Sequence, residues 1–454
     1  MRKRITERIA VLGIVVPVVC CLTPLAAQNG LSLKEAVNVA LTSNPVIEAA
    51  VAGEHQAEAG VRIASAGRLP SVTVIESFTR SNNPVFAFGS LLNQRRFGPS
   101  NFEIERLNNP DALNLFQSVV RVEQVLFDAN RAKHAIQAAR LRRELSAEQR
   151  RADEAAAILA VVRTYFGVAL ADESLRVAEQ TKTTIEADLA RAQALFEAGM
   201  TTKSDVLSVK VHLAAVEEER IRATSQAEIA RAALNDALGL ELDRAHSLVT
   251  TLEPMALGSD GLETFVRSAE GHPGVRGAAL ATEVAAAETK IAKTALWPTV
   301  TAQAMAEADR GRFASQAGGN WLAGVSLEWQ VWKGSEHRAR VAAARYAADR
   351  TEALRRRVES AVQLRVRQAY SEWNAARARV GVAEAAVSDA EESHRIIQNR
   401  YDNGLADVTE LIRGETTSMA TSFRRLAALY DLRVARAGLD EAAGILTANS
   451  EALR

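Results

Sequence analysis

Phe196-Glu197-Ala198-Gly199-Met200-Thr201-Thr202 and, 205 residues later, Tyr401-Asp402-Asn403-Gly404-Leu405 are two forms of one turn. In each, an aromatic residue closes a long apolar-periodic run, and the glycine three residues on suits the left-handed conformation that ends a helix. Before the first turn, apolar residues fall three or four apart at Ala155, Ile158, Val162, Tyr165 and Ala169, then at Ile185, Leu189, Ala192 and Phe196. That spacing is the seam of an amphipathic helix packed on another. Between Pro110 and Pro254, and again after Pro298, no proline interrupts the chain. A helix from about 130 to 197 would run about 100 Å at ~1.5 Å per residue, too far for a globular domain. Each turn is therefore expected to join a long helical hairpin, one over about 130–238 and one over about 335–446.

On either side of the turns, more landmarks repeat. Phe127 matches Trp332, Arg140 matches Arg345 and Tyr165 matches Tyr370, all 205 apart. Upstream the offset is 228: Asn44-Pro45-Val46-Ile47 matches His272-Pro273-Gly274-Val275, and Leu69-Pro70-Ser71-Val72 matches Trp297-Pro298-Thr299-Val300. The first copy thus carries 23 extra residues between Pro70 and Phe127. They include the turn-rich Ser81-Asn82-Asn83-Pro84 and Leu107-Asn108-Asn109-Pro110-Asp111, which predicts a long surface loop. The two copies cover 28–242 and 262–448, with a linker at 243–261. A shorter helix, from about 32 to 68, is expected to open on the capping box Ser32-Leu33-Lys34-Glu35.

Strands are expected between the short helix and the long one. In Trp321-Leu322-Ala323-Gly324-Val325-Ser326-Leu327-Glu328-Trp329-Gln330-Val331 every odd position is apolar and the even ones are mostly small or polar. The stretch 116–126 repeats the pattern more weakly, and 71–80 and 299–310 supply partner strands. About 9 to 11 alternating residues suit a transmembrane β-strand, with Trp321, Val325, Leu327 and Trp329 toward lipid and the tryptophans at interface depth. The same pattern also fits an amphipathic strand in a soluble sheet. Four strands cannot close a barrel, so exposure to lipid would require several chains to share one.

Arg2, Lys3, Arg4 and Arg8, the apolar run from Ile9 to Leu22 and the small residues Ala26 and Ala27 read as a signal peptide over 1–27. The run is shorter than the roughly 20 residues of a spanning helix, and no other stretch is expected to span a membrane as a helix. Both cysteines, Cys20 and Cys21, lie in this segment, with Val19 rather than a small residue before the first, a poor lipidation site. The mature chain would then have no thiol for disulfide, metal or nucleophile chemistry. The 55 basic and 55 acidic residues become a net charge near −3 once the segment is removed, which gives no sign of a nucleic-acid partner. Apolar residues make up 48% but aromatics only 5%, and the abundance of Ala favours long helices with close-packed faces.

Leu31-Ser32-Leu33-Lys34-Glu35-Ala36-Val37 with Asn44-Pro45, Leu69-Pro70-Ser71-Val72 with its echo at Pro298, Tyr165, Phe196-Glu197-Ala198-Gly199 followed by Asp205-Val206-Leu207, and Tyr401-Asp402-Asn403-Gly404 occur in this order and doubled. In this the chain resembles the TolC-like outer-membrane efflux proteins, over essentially all of the mature sequence. The fold class expected is mainly α with a small β part: a twofold repeat of coiled-coil hairpins with four transmembrane strands per chain. The resemblance implies a homotrimer whose twelve strands form one outer-membrane barrel, continued across the periplasm by a helical tube. It implies a periplasmic adaptor and an inner-membrane pump, of RND or ABC type, as partners, with lipid around the barrel. The hairpin ends near Gly199 and Gly404 would be the periplasmic entrance, with Asp205 and Tyr401 at the positions of a gate contact. The alternative roles for these two are a helix cap and a seam aromatic. Ala406 stands where some members carry a basic latch residue, and Glu410 and Arg413 where some carry an acidic ring.

No nucleophile elbow, phosphate loop or dinucleotide fingerprint is present, and His55, His134, His212, His246, His272, His337 and His394 show no metal-ligand spacing. They are expected on solvated surfaces or turns. No catalysis and no cofactor are expected. The function expected is an exit duct of a tripartite efflux system in the outer membrane. The alternatives are the outer-membrane component of type I protein secretion and a soluble periplasmic coiled-coil scaffold.

Overall fold

A computed structural model describes residues 30–254 and 260–453. The expected signal peptide, with Cys20 and Cys21, lies outside the described residues. The first copy opens on α1 (Leu33–Ser43) and α2 (Pro45–Ala66). The capping box forms as the sequence indicates: Ser32 Oγ accepts from the Glu35 N–H at 3.3 Å and the Glu35 carboxylate accepts from the Ser32 N–H at 2.9 Å. The expected single helix over 32–68 is instead broken at Asn44. Pro45 has no N–H to continue the ladder of α1, while Asn44 Oδ1 accepts from the Val46 N–H at 2.8 Å and starts α2. The second copy breaks in the same place, where His272 Nδ1 accepts from the Gly274 N–H at 3.0 Å and Pro273 begins a helix.

Next come β1 (Ser71–Ser81), α3 (Pro84–Asn93), α4 (Ile104–Asn108) and β2 (Leu113–Phe127). The extra segment of the first copy is therefore not the open loop expected from its turn residues. Asn83 caps α3, accepting from the Phe86 N–H at 3.1 Å, and Pro84 sits at its first position. Phe88, Phe97 and Phe102 then pack edge to face, with centroids 4.8 and 5.1 Å apart. The end of α3 presses on the sheet so closely that a Cβ on Gly318 would lie 1.7 Å from the Asn93 carbonyl oxygen.

The first hairpin is α5 (Arg131–Glu197) and α6 (Lys203–Leu238). The second copy runs α7 (Leu262–Ser268), α8 (Pro273–Thr294), β3 (Thr299–Arg310), β4 (Gly318–Glu328), α9 (Glu336–Asp402) and α10 (Val408–Ala442). The strand expected over 321–331 starts three residues earlier and ends at Glu328, which leaves Trp329 and Val331 beyond it. The four strands form one antiparallel sheet in the order β1-β2-β3-β4.

The hairpins cross the short helices at one core. Tyr165, Phe166, Phe265 and Trp373 are fully buried there with Leu33, Leu234, Leu429 and Leu439. The Tyr165 hydroxyl donates to the Leu31 carbonyl at 2.7 Å and accepts from the Thr250 N–H at 3.0 Å, holding both connecting segments to α5. Arg433 lies over the Phe166 ring at 5.2 Å, and Arg436 over Phe265 and Trp373, each at 5.6 Å. Contrary to the sequence expectation, α5 contains a stretch long and apolar enough to cross a membrane, with mean hydropathy 1.5. The stretch is 56% buried within the protein. Its apolar centre, from Ile158 to Val168, belongs to this core.

Candidate functional site

Two parts of the molecule carry the residues singled out by the sequence: the faces of the sheet and the free ends of the hairpins. Directly opposed residues of antiparallel strands share a face, so the register sorts the side chains. Val74, Val120, Ala306 and Trp321 form one row, and Val72, Val122, Ala304 and Ala323 the next. Ala302 with Val325 and Val300 with Leu327 continue this apolar stripe, interrupted by Gln124 opposite Ala302 and ended beyond Val74 by Glu76, Ser118 and Arg310. The other face carries Ile75, Val119, Glu307 and Asn320, then Thr73, Arg121, Met305 and Leu322, then Ser71, Glu123 and Gln303, then Thr301 with Ser326 and Thr299 with Glu328, and is polar for most of its length. Trp321, Val325 and Leu327 thus lie in one apolar stripe and are exposed, as is Trp329 just past the strand. From Leu327 to Trp321 the stripe is about 20 Å long at ~3.3 Å per residue. Both outer strands, β1 and β4, lack a partner on one side among the described residues.

At the other end, α5 and α9 stop at left-handed glycines, Gly199 at φ 75° and Gly404 at φ 70°. The returning helices are capped by different means. At α6, Thr202 and Asp205 make a capping box: Asp205 Oδ2 accepts from the Thr202 N–H at 3.0 Å and from the hydroxyls of Thr201 and Thr202 at 2.7 and 2.9 Å. The hydrogen bond from Thr201, with those from Thr202, holds this carboxyl below its ordinary range. At α10, Asp407 Oδ1 accepts from the Glu410 N–H at 2.8 Å, and the Glu410 carboxylate lies 3.5 Å from Arg400.

Tyr401 is 6% exposed, packed among Ile185, Val206, Val209, Val408 and Leu411. Its hydroxyl has no hydrogen-bond partner among the described residues. Burial, then the nearby negative charges of Asp188 and Asp205, push its pKa up. Within the protomer Asp205 and Tyr401 thus come close enough to interact electrostatically, while the hydrogen bonds of Asp205 go to its own cap.

The tie between the two hairpins runs through residues that the sequence reading missed. Arg191 Nη1 bonds Asp402 at 2.6 Å and lies 3.7 Å from Asp188, while Gln398 Nε2 donates to Asp188 at 3.0 Å. His212 and His394, expected on solvated surfaces, face the buried Glu415 instead, with side chains 10% and 22% exposed. Nothing in their spacing could reveal this, because His212, His394 and Glu415 come from three helices, with Asp188 of α5 beside them, and meet only when the hairpins pack side by side.

Against this geometry, the family model for outer membrane efflux proteins matches residues 36–240 and 266–445. The chain belongs to that family. It is an outer-membrane channel protein with a large periplasmic helical portion. Protein CyaE of Bordetella pertussis is 25% identical over 434 residues, covering 94% of this chain and 86% of its own. Outer membrane efflux protein BepC of Brucella suis is 22% identical, covering 74% of this chain and 73% of its own. Among solved structures, the Campylobacter jejuni CmeC outer membrane channel superposes with a TM-score of 0.78 at 15% identity, covering 92% of this chain and 87% of its own. The outer membrane protein VceC of Vibrio cholerae gives 0.73 at 18%, covering 91% and 96%. At these identities the solved structures speak for the fold alone. Members of the family are channels rather than enzymes.

Proposed function

We propose that three copies of this chain close one twelve-stranded barrel and act as the exit duct of a tripartite efflux system. The observation that carries the reading is the sheet: an apolar stripe running from Val300 and Leu327 to Val74 and Trp321 on one face, Arg121, Glu123, Gln303 and Glu328 on the other, and two outer strands without a partner among the described residues. A lipid-exposed sheet cannot leave strand edges open, because each unsatisfied backbone group in hydrocarbon costs several kcal/mol. Pairing β4 of one copy with β1 of the next removes every edge. Arg121, Glu123, Gln303 and Glu328 then line a wet lumen, and Val325, Leu327 and Trp321 meet lipid.

Below the barrel, the hairpins α5–α6 and α9–α10 continue as a tube. Gly199, Asp205, Tyr401, Gly404 and Glu410 stand at its entrance, where a periplasmic adaptor would dock. Cargo passes without chemical change, and the energy comes from an inner-membrane pump of RND or ABC type. Reconstitution of the purified protein into planar bilayers tests the duct: discrete ion-conductance steps are expected, and a protein that inserts but never conducts would refute it.

A further inference from the structure

About 16 Å above the Gly199 turn, counted at ~1.5 Å per residue, one titratable group is shared by all four long helices. Glu415 of α10 is 5% exposed. His212 of α6 approaches its Oε2 at 3.1 Å, and His394 of α9 its Oε1 at 4.0 Å. Asp188 of α5, 4% exposed, adds a second carboxylate against it. Glu415 Oε1, Asp188 Oδ2, His212 Nε2 and His394 Nε2 are buried without a hydrogen bond of good geometry among the described residues. Arg191 stands 3.7 Å from Asp188 on its outer side. A cavity of about 420 Å³ reaches the cluster, so protons have access; its further charged lining is Glu173 and Arg176 of α5, Glu391 of α9 and Arg425 of α10. No group of three or more His, Asp or Glu among the described residues is arranged to hold a metal ion.

We propose that Glu415, clasped by Asp188, His212 and His394, is a proton-operated latch that couples the packing of the two hairpins to periplasmic pH. Two carboxylates side by side in a buried seam cannot both ionise cheaply; one proton shared between them makes an acid–carboxylate pair and leaves His212 a free acceptor to serve. Burial raises the Glu415 pKa to about 7; the His212 ring opposes the rise and Asp188 adds to it. A carboxyl raised in the folded state binds its proton more tightly there than in the open chain. The stabilisation is therefore full in acid and is lost as pH climbs from the ordinary carboxyl range through about 7. Above that, repulsion loosens α6 and α10 from α5 and α9 near the entrance. The location of this consequence rests on the proposed duct, whereas the proton response is a property of the four helices themselves.

The test is hydrogen exchange, read by mass spectrometry over residues 180–215 and 390–420, in the assembled wild-type protein and in Glu415→Gln, whose amide mimics the protonated acid. Comparing the two at matched pH cancels the chemical exchange rate. The wild-type rate should equal that of the variant at pH 5.5 and exceed it about tenfold at pH 8, one unit past the midpoint. His212→Gln, a second variant, should move the midpoint upward, because the ring that opposes the rise is gone. A wild-type-to-variant ratio that stays constant from pH 5.5 to 8, whether at one or at any other value, would overturn the latch. A midpoint unchanged by His212→Gln would do the same.

Discussion

The long helices α5 and α9 each have 67 residues, yet they are packed very differently. Eighteen residues of α5 are buried and only seven of α9. Leu141 and Leu159 of α5 are 8% and 6% exposed, whereas Tyr346 and Leu364, their counterparts 205 residues on, are 73% and 55% exposed. Val382 and Ile396 of α9 are exposed as well. The first copy is enclosed by its own chain, since α1, α2, α6, α8 and α10 all pack on α5. In the second, Tyr346, Leu364, Val382 and Ile396 are covered by nothing among the described residues. Such a stripe signals an unoccupied interface. Repetition thus preserved the length of the helix while dividing the labour: one copy is the core of the subunit, and in the proposed duct the other would be its joint to a neighbouring copy.

A charge placed at matched positions of α5 and α9 should have opposite consequences. Leu159→Glu should abolish folding, seen as lost helical circular dichroism and no assembled protein, because a buried unpaired charge has no partner there. Leu364→Glu should keep its helicity and lose only the assembly, read as native mass. Identical behaviour of the two variants would end the distinction between core and joint.

The sheet offers a smaller effect of the same kind. Val325→Arg puts a cation on the apolar face and should cost about 2–4 kcal/mol near the bilayer midplane, read as poor assembly into the outer membrane, whereas Ser326→Arg on the polar face should be tolerated. Equal tolerance would invert or abolish the assigned facing.

Smaller again is the contrast between Tyr165 and Tyr370. Tyr165→Phe strands the Leu31 carbonyl and the Thr250 N–H, a loss of about 1–3 kcal/mol in denaturant unfolding. Tyr370, whose hydroxyl makes no hydrogen bond among the described residues, should tolerate the same change. The smallest effect lies at the strand-to-helix turns, where Ala129 has φ 53° and its counterpart Gly334 has φ 57°. Ala129→Gly should relieve the left-handed strain and stabilise by up to about 1 kcal/mol, while Gly334→Ala should destabilise by a similar amount.

Much of this architecture was legible in the chain because its signals are local or periodic. Proline spacing and the paired glycines located the first hairpin to within a residue and the second to within four, its last helix ending at Ala442, and β3 was read at its observed bounds. The break at Asn44 was legible in principle, from a capping residue ahead of Pro45, but the run of apolar residues on both sides masked it. The segment after β1 misled because Asn83-Pro84 is a turn signal and a helix start alike; packing of Phe88, Phe97 and Phe102 decided between them. The cluster at Glu415 was invisible, since no local pattern records which faces of four separate helices meet. The exposure of α9 was equally hidden: apolar spacing does not record which residues of a helix another element covers, and only the folded protomer reveals that Tyr346, Leu364 and Val382 are left bare among the described residues.

The most direct test of the central claim, that both the open sheet and the bare face of α9 are completed by identical copies, is the native mass of the mature protein extracted from outer membranes in mild detergent. A species of three chains that resists dissociation is expected. A single-chain species, stable and helical without partners, would contradict it.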